Sequence, residues 1–157
     1  MEIIVEPEAF ESDDAQRLIA DLDHGLAQLY TPDQRFGPNF KASQIADGRG
    51  VFLIARLEGR AVGCGAIRLL DDTTAEVKRM YVEPEMRGRS TGRKILNVLE
   101  AQALQMGVRR LVLETGVHQH AAIALYVHAG YAQCGCWGEY LTSATSVCYA
   151  KDIDGQT

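Results

Sequence analysis

The stretch MYVEPEMRGRSTGRK, residues 80–94, decides the fold of this 157-residue chain. It begins with a strand-like apolar run that stops at Pro84, and a loop containing Gly88 and Gly92 follows. From residue 91 to residue 106 the apolar side chains recur at helical spacing on one face. The stretch therefore predicts a strand, a glycine-containing loop and an amphipathic helix that starts at once.

This loop is the most basic part of the chain. Residues 78–94 contain six basic and two acidic side chains, so the segment carries +4 while the whole chain carries −5. A helix N-terminus has unpaired N–H groups and a partial positive charge, and glycine lets an anion approach the backbone closely. The loop is therefore predicted to bind a phosphate-bearing ligand, although the same charges would also suit a solvated surface.

The two common nucleotide-binding motifs are missing from this loop. A P-loop reads G-x-x-x-x-G-K-S/T, but only three residues separate Gly88 from Gly92 and no hydroxyl residue follows Lys94. The dinucleotide fingerprint G-x-G-x-x-G is also absent. A nucleotide-binding module therefore stays open only as a minor alternative.

The rest of the chain predicts a sheet flanked by helices. Strands are predicted at residues 3–5, 51–55, 61–70, 74–82, 111–113, 131–136 and 146–151, with turns at 58–60 and 71–72. Helices are predicted after a cap at Ser12, as a short piece at 40–46, and at 91–106 and 122–129. The order, hairpins first and then strands alternating with helices, indicates an α/β or α+β domain with a mixed sheet.

Composition fits one globular domain over residues 1–157. Hydrophobic residues make up 46% and charged residues 24% of the chain, enough apolar side chain to bury a core and to exclude disorder as the main state. No apolar run approaches the roughly 20 residues of a membrane span, and the acidic N-terminus lacks a signal-peptide pattern. We therefore expect a cytoplasmic protein without a membrane partner. The net charge argues against nucleic acid as the main partner.

The cysteines and histidines predict no metal centre. The four cysteines are Cys64, Cys134, Cys136 and Cys148. They lack the C-x-x-C spacing of zinc and redox sites, so we expect reduced thiols in or near the core. His118 and His120 have no further ligand at a useful spacing.

Two motifs make the chain resemble the GNAT (Gcn5-related) N-acetyltransferases. The first family motif reads V-x-P-x-x-R-G-x-G-x-G-x-x-L, and this chain matches it at Val82, Pro84, Arg87, Gly88, Gly92 and Ile95 or Leu96. The second reads A-x-x-L-Y-x-x-x-G-F/Y and is met by residues 122–131. The chain departs from the family at Ser90, which replaces a glycine, and at Gln119, where many members have asparagine.

The resemblance implies a mixed, mostly antiparallel central sheet flanked by helices, in which a splayed pair of parallel strands holds acetyl-CoA. Here those strands would end at Val82 and Leu113, and an N–H of Met80 or Tyr81 would polarise the thioester carbonyl. The residues implied in coenzyme binding are Met80, Tyr81, Val82, Arg87, Gly88, Arg89, Ser90, Thr91, Gly92, Arg93, Gln119, Ala122 and Tyr126.

By the same resemblance, Tyr126 is the general acid that protonates the departing CoA thiolate; its alternative is a packing role on its helix. Glu76 lies eleven residues before Arg87, where histone-acetylating relatives have a catalytic glutamate, and is the candidate base. Strand alternation would place Glu76, Lys78, Met80 and Val82 on one face. A structural ion pair with Lys78, or a water chain acting as base, is left open.

The acceptor is predicted to be the primary amine of a small molecule, because the chain is too short for a separate peptide-recognition domain. Candidate acceptor contacts lie in the early helices and the last loops: Tyr30, Phe36, Phe40, Trp137, Glu139 and Tyr140. The −9 carried outside residues 78–94 favours a cationic acceptor. An acyl-CoA-binding sensor without catalysis is the alternative function, and family resemblance also suggests a homodimer.

Overall fold

A computed structural model describes residues 2–35 and 40–153. Within those residues it contains seven strands and three α-helices. The strands are β1 (Ile3–Pro7), β2 (Gly50–Leu57), β3 (Arg60–Leu69), β4 (Thr74–Val82), β5 (Arg110–Gly116), β6 (Ala132–Cys134) and β7 (Ser146–Asp152). The helices are α1 (Asp13–Leu29), α2 (Thr91–Gln105) and α3 (His120–His128).

All seven strands form one sheet in the order β1-β2-β3-β4-β5-β7-β6. Only β4 and β5 run parallel; the other neighbouring pairs are antiparallel. The predicted fold class, a mixed and mostly antiparallel sheet flanked by helices, is confirmed. The parallel pair needs a crossover, which α2 provides between β4 and β5.

Local sequence signals account for the first helix and the first hairpin. The Ser12 hydroxyl accepts a hydrogen bond from the Ala15 N–H at 3.1 Å, so it caps α1 as predicted. The turn between β2 and β3 has positive φ at both Glu58 and Gly59, as a tight hairpin turn requires. The short helix predicted at 40–46 is wrong in extent, because that segment forms only a 3-10 turn, Ala42–Gln44. Among the described residues, no helix has the length and apolar character needed to cross a membrane.

Two apolar clusters cover the two faces of the sheet. On one face α2 contributes Ile95, Leu96 and Leu99, which are fully buried against β2, β3 and β4. On the other face α1 contributes Ala15 and Leu18 to a second cluster. The sheet is therefore fixed from both sides, and its central strands can hold a site between them.

β4 contains a bulge that reverses its alternation. Arg79 has φ +56°, and β3 has no Cα partner for it among the pairs from Leu69–Ala75 to Gly63–Val82. Lys78 is the strand partner of Ala66 and lies with it on the α1 side of the sheet. Met80 packs near Ile95 on the α2 side. The prediction that Glu76, Lys78, Met80 and Val82 share a face is therefore wrong. One extra residue in the bulge moves the last two to the other face.

The C-terminal strands contain a covalent link that the sequence did not predict. Cys136 forms a disulfide with Cys148 of β7, closing a segment of sequence separation 12. Cys64 and Cys134 are free thiols. The expectation of four reduced cysteines is therefore wrong for two of them. The spacing of the cysteines could not reveal this pair, because β7 lies next to Cys136 only in the folded chain. Strand β6 also ends earlier than predicted, at Cys134.

We predict that the unfolded, unreduced protein has two thiols that react with a chromogenic disulfide reagent, and four after reduction. Reduction should lower the free energy of unfolding by about 3 kcal/mol, because a disulfide that closes a loop of this length lowers the conformational entropy of the unfolded chain by that amount. Cys134→Ser is the matched control and should show the same loss on reduction with one thiol fewer. Four reactive thiols before reduction would contradict the disulfide.

Candidate active site

β4 and β5 separate as they leave the middle of the sheet. They pair from Thr74–Arg110 to Val77–Leu113, after which β4 continues to Val82 and β5 to Gly116 without further pairing to each other. A cleft of about 490 Å³ opens along this divergence and extends towards α1 and the 138–142 turn. The divergence of the strands therefore opens the cleft, and residues of α1 and of the segments 32–35 and 140–145 complete its walls.

Several of the predicted site residues line this cleft. They are Met80, Gln119, Ala122 and Tyr126 from the coenzyme set, and Tyr30 and Tyr140 from the acceptor set. Gly116 lies at its floor, where a Cβ would collide with the Tyr30 hydroxyl. That hydroxyl accepts a hydrogen bond from the His118 N–H at 3.0 Å, so Tyr30 joins α1 to the end of β5.

The other acceptor candidates lie elsewhere. Phe40 is buried with its ring centroid 5.1 Å from that of Phe10, in the α1-side core. Trp137 contacts the Tyr140 ring edge-on but does not line the cleft. Glu139 lies in the 3-10 turn Gly138–Thr142, also outside the lining. Phe36 falls outside the described residues.

The basic loop has the backbone geometry of an anion-binding turn. Gly88 has φ +77°, and Ser90, the N-cap of α2, has φ +63°. Ser90 therefore occupies a left-handed conformation that glycine adopts without cost, which explains why glycine is usual at this position. The departure from the family motif keeps the conformation of the loop, at the cost of some backbone strain.

Side chains of this loop and of the first turn of α2 are held by hydrogen bonds and a ring contact. The Arg87 Nε donates to the Val82 carbonyl at 3.0 Å, and its guanidinium lies 6.0 Å from the centre of the Tyr81 ring. Arg93 donates to the carbonyl of His128 at 3.3 Å. The Thr91 Oγ1 is buried and has no hydrogen-bond partner among the described residues. An anion held by the amides of this loop would give that hydroxyl an acceptor.

Tyr126 lies in α3 and Gln119 is the N-cap residue of that helix, on the β5 side of the cleft. The Tyr126 side chain is buried, with its ring 5.9 Å from that of Tyr131, and no residue in the described ranges hydrogen-bonds its hydroxyl. Burial, together with the nearby carboxylate of Glu114, raises the pKa of the Tyr126 phenol. The Gln119 side chain accepts a hydrogen bond from the Gly116 N–H at 2.8 Å, so it also fixes the end of β5.

Glu76 is held in a buried polar cluster. It is 1% exposed, and Arg68 donates to its Oε1 from Nε at 3.0 Å and approaches from Nη2 at 2.9 Å. The Tyr140 hydroxyl donates to its Oε2 at 3.1 Å, and the Lys78 Nζ lies 3.7 Å from the same oxygen. Both carboxylate oxygens are therefore engaged, and Glu76 does not line the cleft. This arrangement favours the structural ion pair among the alternatives for Glu76.

Glu114 is the cleft carboxylate that the sequence analysis missed. It lies on β5 one residue beyond the last pair with β4, and its side chain accepts a hydrogen bond from the Ser146 hydroxyl at 2.6 Å. Burial raises the pKa of Glu114, while the Ser146 hydrogen bond and the Lys78 charge act in the opposite direction. Burial also lowers the pKa of Lys78, which lines the same cleft. The signal that could have identified Glu114 in the sequence was an acidic residue directly after the apolar run 111–113.

No group of three or more His, Cys, Asp or Glu side chains that could hold a metal ion occurs among residues 2–35 and 40–153. His118 is instead occupied in packing, with its ring centroid 5.5 Å from that of Tyr30.

Comparison with known proteins identifies the fold. The family model described as "Acetyltransferase (GNAT) family" matches residues 15–131. A relative from Azospirillum brasilense named IAA acetyltransferase is 38% identical over 138 residues, which are 87% of this chain and 89% of that protein. A Klebsiella pneumoniae structure assigned to the acyl-CoA N-acyltransferases has 36% identity and a TM-score of 0.83, and covers 96% of this chain and 97% of its own.

A more distant structure shows the same fold at low identity. PaiA N-acetyltransferase from Thermoplasma acidophilum, solved in complex with coenzyme A, has 14% identity and a TM-score of 0.73, over 97% of this chain and 99% of its own. The extent of the family match and the identity of the first relative agree with the two motifs at residues 82–96 and 122–131. This chain belongs to the GNAT family and is an acetyltransferase.

Proposed function

We propose that this protein transfers the acetyl group of acetyl-CoA to a primary amine of a small molecule by direct attack of the amine on the thioester. The observation that carries the proposal is the cleft at the β4–β5 divergence, because it brings the Tyr126 phenol and the Glu114 carboxylate to the end of the only parallel strand pair in the described sheet. The cytoplasmic location, the single domain over residues 1–157 and the homodimer stay predictions.

The residues present fit acetyl-CoA as the second substrate. The unpaired edges of β4 and β5 can take an extended pantetheine arm as an additional strand, with Met80 on one side and Gln119 on the other. The left-handed turns at Gly88 and Ser90 expose loop amides at the N-terminus of α2, and Thr91 supplies a hydroxyl without a partner in the described structure. Solved GNAT structures with bound CoA or acetyl-CoA support this assignment.

Glu114 is the proposed general base, in preference to Glu76. An amine acceptor is mostly protonated near neutral pH, so a group in the cleft has to accept a proton before or during attack. Glu114 lines the cleft and has a raised pKa, which makes its carboxylate a better proton acceptor than an ordinary glutamate. Glu76 is enclosed by Arg68, Tyr140 and Lys78 and lacks access to the acceptor.

Tyr126 is the proposed general acid. Departure of CoA leaves a thiolate, which gains a proton most directly from a donor beside the sulfur. Tyr126 lines the cleft, and its raised pKa keeps the hydroxyl protonated over the whole neutral range. Its hydroxyl is not used in a hydrogen bond to the described protein, so it is available to the thiolate.

Turnover distinguishes an enzyme from a sensor that binds acyl-CoA without catalysis. The test measures CoA release from acetyl-CoA with polyamines, amino acids, aminoglycosides and basic peptides as acceptors. Saturable release with one class supports the enzyme. Tight acetyl-CoA binding with no release across the whole panel would favour the sensor.

We predict that Ser90→Gly leaves stability and acetyl-CoA affinity near those of the wild type. Glycine removes a left-handed penalty of about 1 kcal/mol but gains roughly as much unfolded-state freedom. Ser90→Val should lower the free energy of unfolding by about 1–3 kcal/mol and weaken acetyl-CoA binding about tenfold, because a β-branched side chain resists this conformation. Thermal melts and calorimetric titration check both, and equal affinities for the two variants would contradict the role of the loop.

We predict that Tyr126→Phe lowers kcat at least about tenfold while the Kd for acetyl-CoA changes less than about twofold, because only the proton donor is lost. Tyr131→Phe is the matched control: it removes a neighbouring phenol whose hydroxyl donates to Glu100 at 3.0 Å, outside the cleft. Its kcat should stay near the wild-type value. Unchanged turnover in Tyr126→Phe would remove the general acid role.

We predict that Glu114→Gln lowers kcat/KM by about 100-fold and removes the fall in rate as pH drops through the raised pKa of Glu114, because the base is lost. Glu76→Gln should instead lower the free energy of unfolding by about 3 kcal/mol, since it leaves Arg68 unpaired, and should keep that limb of the pH profile. If Glu76→Gln loses the limb and Glu114→Gln keeps it, the assignment of the base is reversed.

A further inference from the structure

The charged side chains lining the cleft carry a net positive charge, contrary to the acidity of the whole chain. The cationic lining residues in the described structure are Arg35, Lys78 and Arg79, and the acidic ones are Asp23 and Glu114. Three cations and two carboxylates leave the lining with a net charge of +1, so a polyamine or an aminoglycoside meets no excess of negative charge there. The −9 outside residues 78–94 therefore does not describe the surface that the acceptor meets.

Two of these cations share one carboxylate oxygen. The Arg79 Nη1 lies 2.8 Å from the Asp23 Oδ1, and the Arg35 Nη2 lies 3.1 Å from the same atom. A guanidinium usually binds a carboxylate through two parallel N–H groups, so one shared oxygen satisfies neither arginine fully. This Arg35–Asp23–Arg79 cluster keeps one positive charge in excess on the α1 side of the cleft.

Arg79 also has an unused donor. Its Nε is buried and has no hydrogen-bond partner among the described residues. Nη1 is the atom that contacts Asp23, so the edge formed by Nε and Nη2 is the one left for a second carboxylate. The β4 bulge is the reason for this position, because it turns Arg79 out of the regular strand at the point where β4 leaves β5.

The opposite wall carries the complementary charge. Glu114 lies on β5, with the Ser146 hydroxyl as its hydrogen-bond donor, and α1 carries the arginine cluster on the other side. A cleft with a carboxylate at one wall and excess guanidinium at the other suits a ligand that has an amine at one end and a carboxylate at the other.

We propose that the acceptor is a small amino carboxylate, with its amine directed to Glu114 and its carboxylate bound by Arg79 and Arg35. This inference rests on the proposed acetyl transfer and deepens it by naming the substrate class. Asp23 keeps its contacts with both arginines, and the carboxylate of the substrate takes the donors that Asp23 leaves free. The Arg35–Asp23–Arg79 cluster thus determines specificity, and Glu114 serves the chemistry.

The test is a binding comparison that does not depend on turnover. Protein saturated with CoA is titrated calorimetrically with the N-acetyl derivatives of the twenty amino acids and with their primary amides, which lack the carboxylate charge. At least one acid should bind about tenfold more tightly than its amide, because the charge-assisted pair is lost in the amide. If no acid binds better than its amide, the inference is overturned.

Three variants locate the carboxylate. Arg79→Gln and Arg35→Gln should each reduce the preference for acid over amide to about threefold or less, and Arg35 lies outside the sheet, so its replacement leaves the β4 bulge in place. Asp23→Asn should raise the affinity for the acid, because it removes a negative charge beside the one that the substrate brings. Arg110→Gln is the matched control and should keep the wild-type preference. It removes an exposed arginine whose Nη1 lies 2.9 Å from the Asp152 Oδ1.

The outcomes separate the inference from the proposed function. Turnover with polyamines or aminoglycosides at rates equal to amino acids would overturn the inference and leave acetyl transfer intact. A carboxylate preference that persists in both Arg79→Gln and Arg35→Gln would also overturn it. Release of CoA with none of the amines, although acids bind in the manner described, would instead count against catalysis and leave the binding site standing.

Discussion

The site depends on one constraint: β4 and β5 start as a hydrogen-bonded parallel pair and then part. The pairing from Thr74–Arg110 to Val77–Leu113 fixes their relative register, while apolar clusters cover both faces of the sheet. Backbone groups beyond Val77 on one strand and Leu113 on the other are thereby left for a ligand. Tyr126, Glu114 and Arg79 all line the cleft that this divergence opens.

The β4 bulge lets consecutive residues of one strand contribute to the cleft. In a regular strand Lys78 and Met80 would lie on one face and Arg79 on the other, so the three side chains would not all point into the cleft. With Arg79 at positive φ, three successive side chains, those of residues 78, 79 and 80, all line it. A strained residue at this point is consistent with strain concentrating where a protein binds or reacts.

Much of the fold was predictable because its signals are local. Helix α2 begins at the predicted residue Thr91, and β4 has the predicted bounds, since periodicity and Pro84 act over a few residues. The bulge was not predictable, because it depends on how β4 meets β3 at Arg79. The Cys136–Cys148 disulfide depends likewise on a contact between separate segments. Glu114 was overlooked because one acidic residue after an apolar run looks like the end of a buried strand.

Whole-chain charge gave little information about the acceptor, for a physical reason. Charges on the outer surface are screened by salt over about 8–10 Å, so a net charge of −5 influences encounter more than the pairing of groups inside a cleft. Within the cleft the number of paired groups matters more, because among the described residues Arg35 and Arg79 share a single carboxylate oxygen, the Oδ1 of Asp23. A ligand that supplies a second carboxylate completes the pairing of both guanidinium groups. A purely cationic ligand would have to compete with them for Asp23, and that competition is the physical basis for selecting among amines.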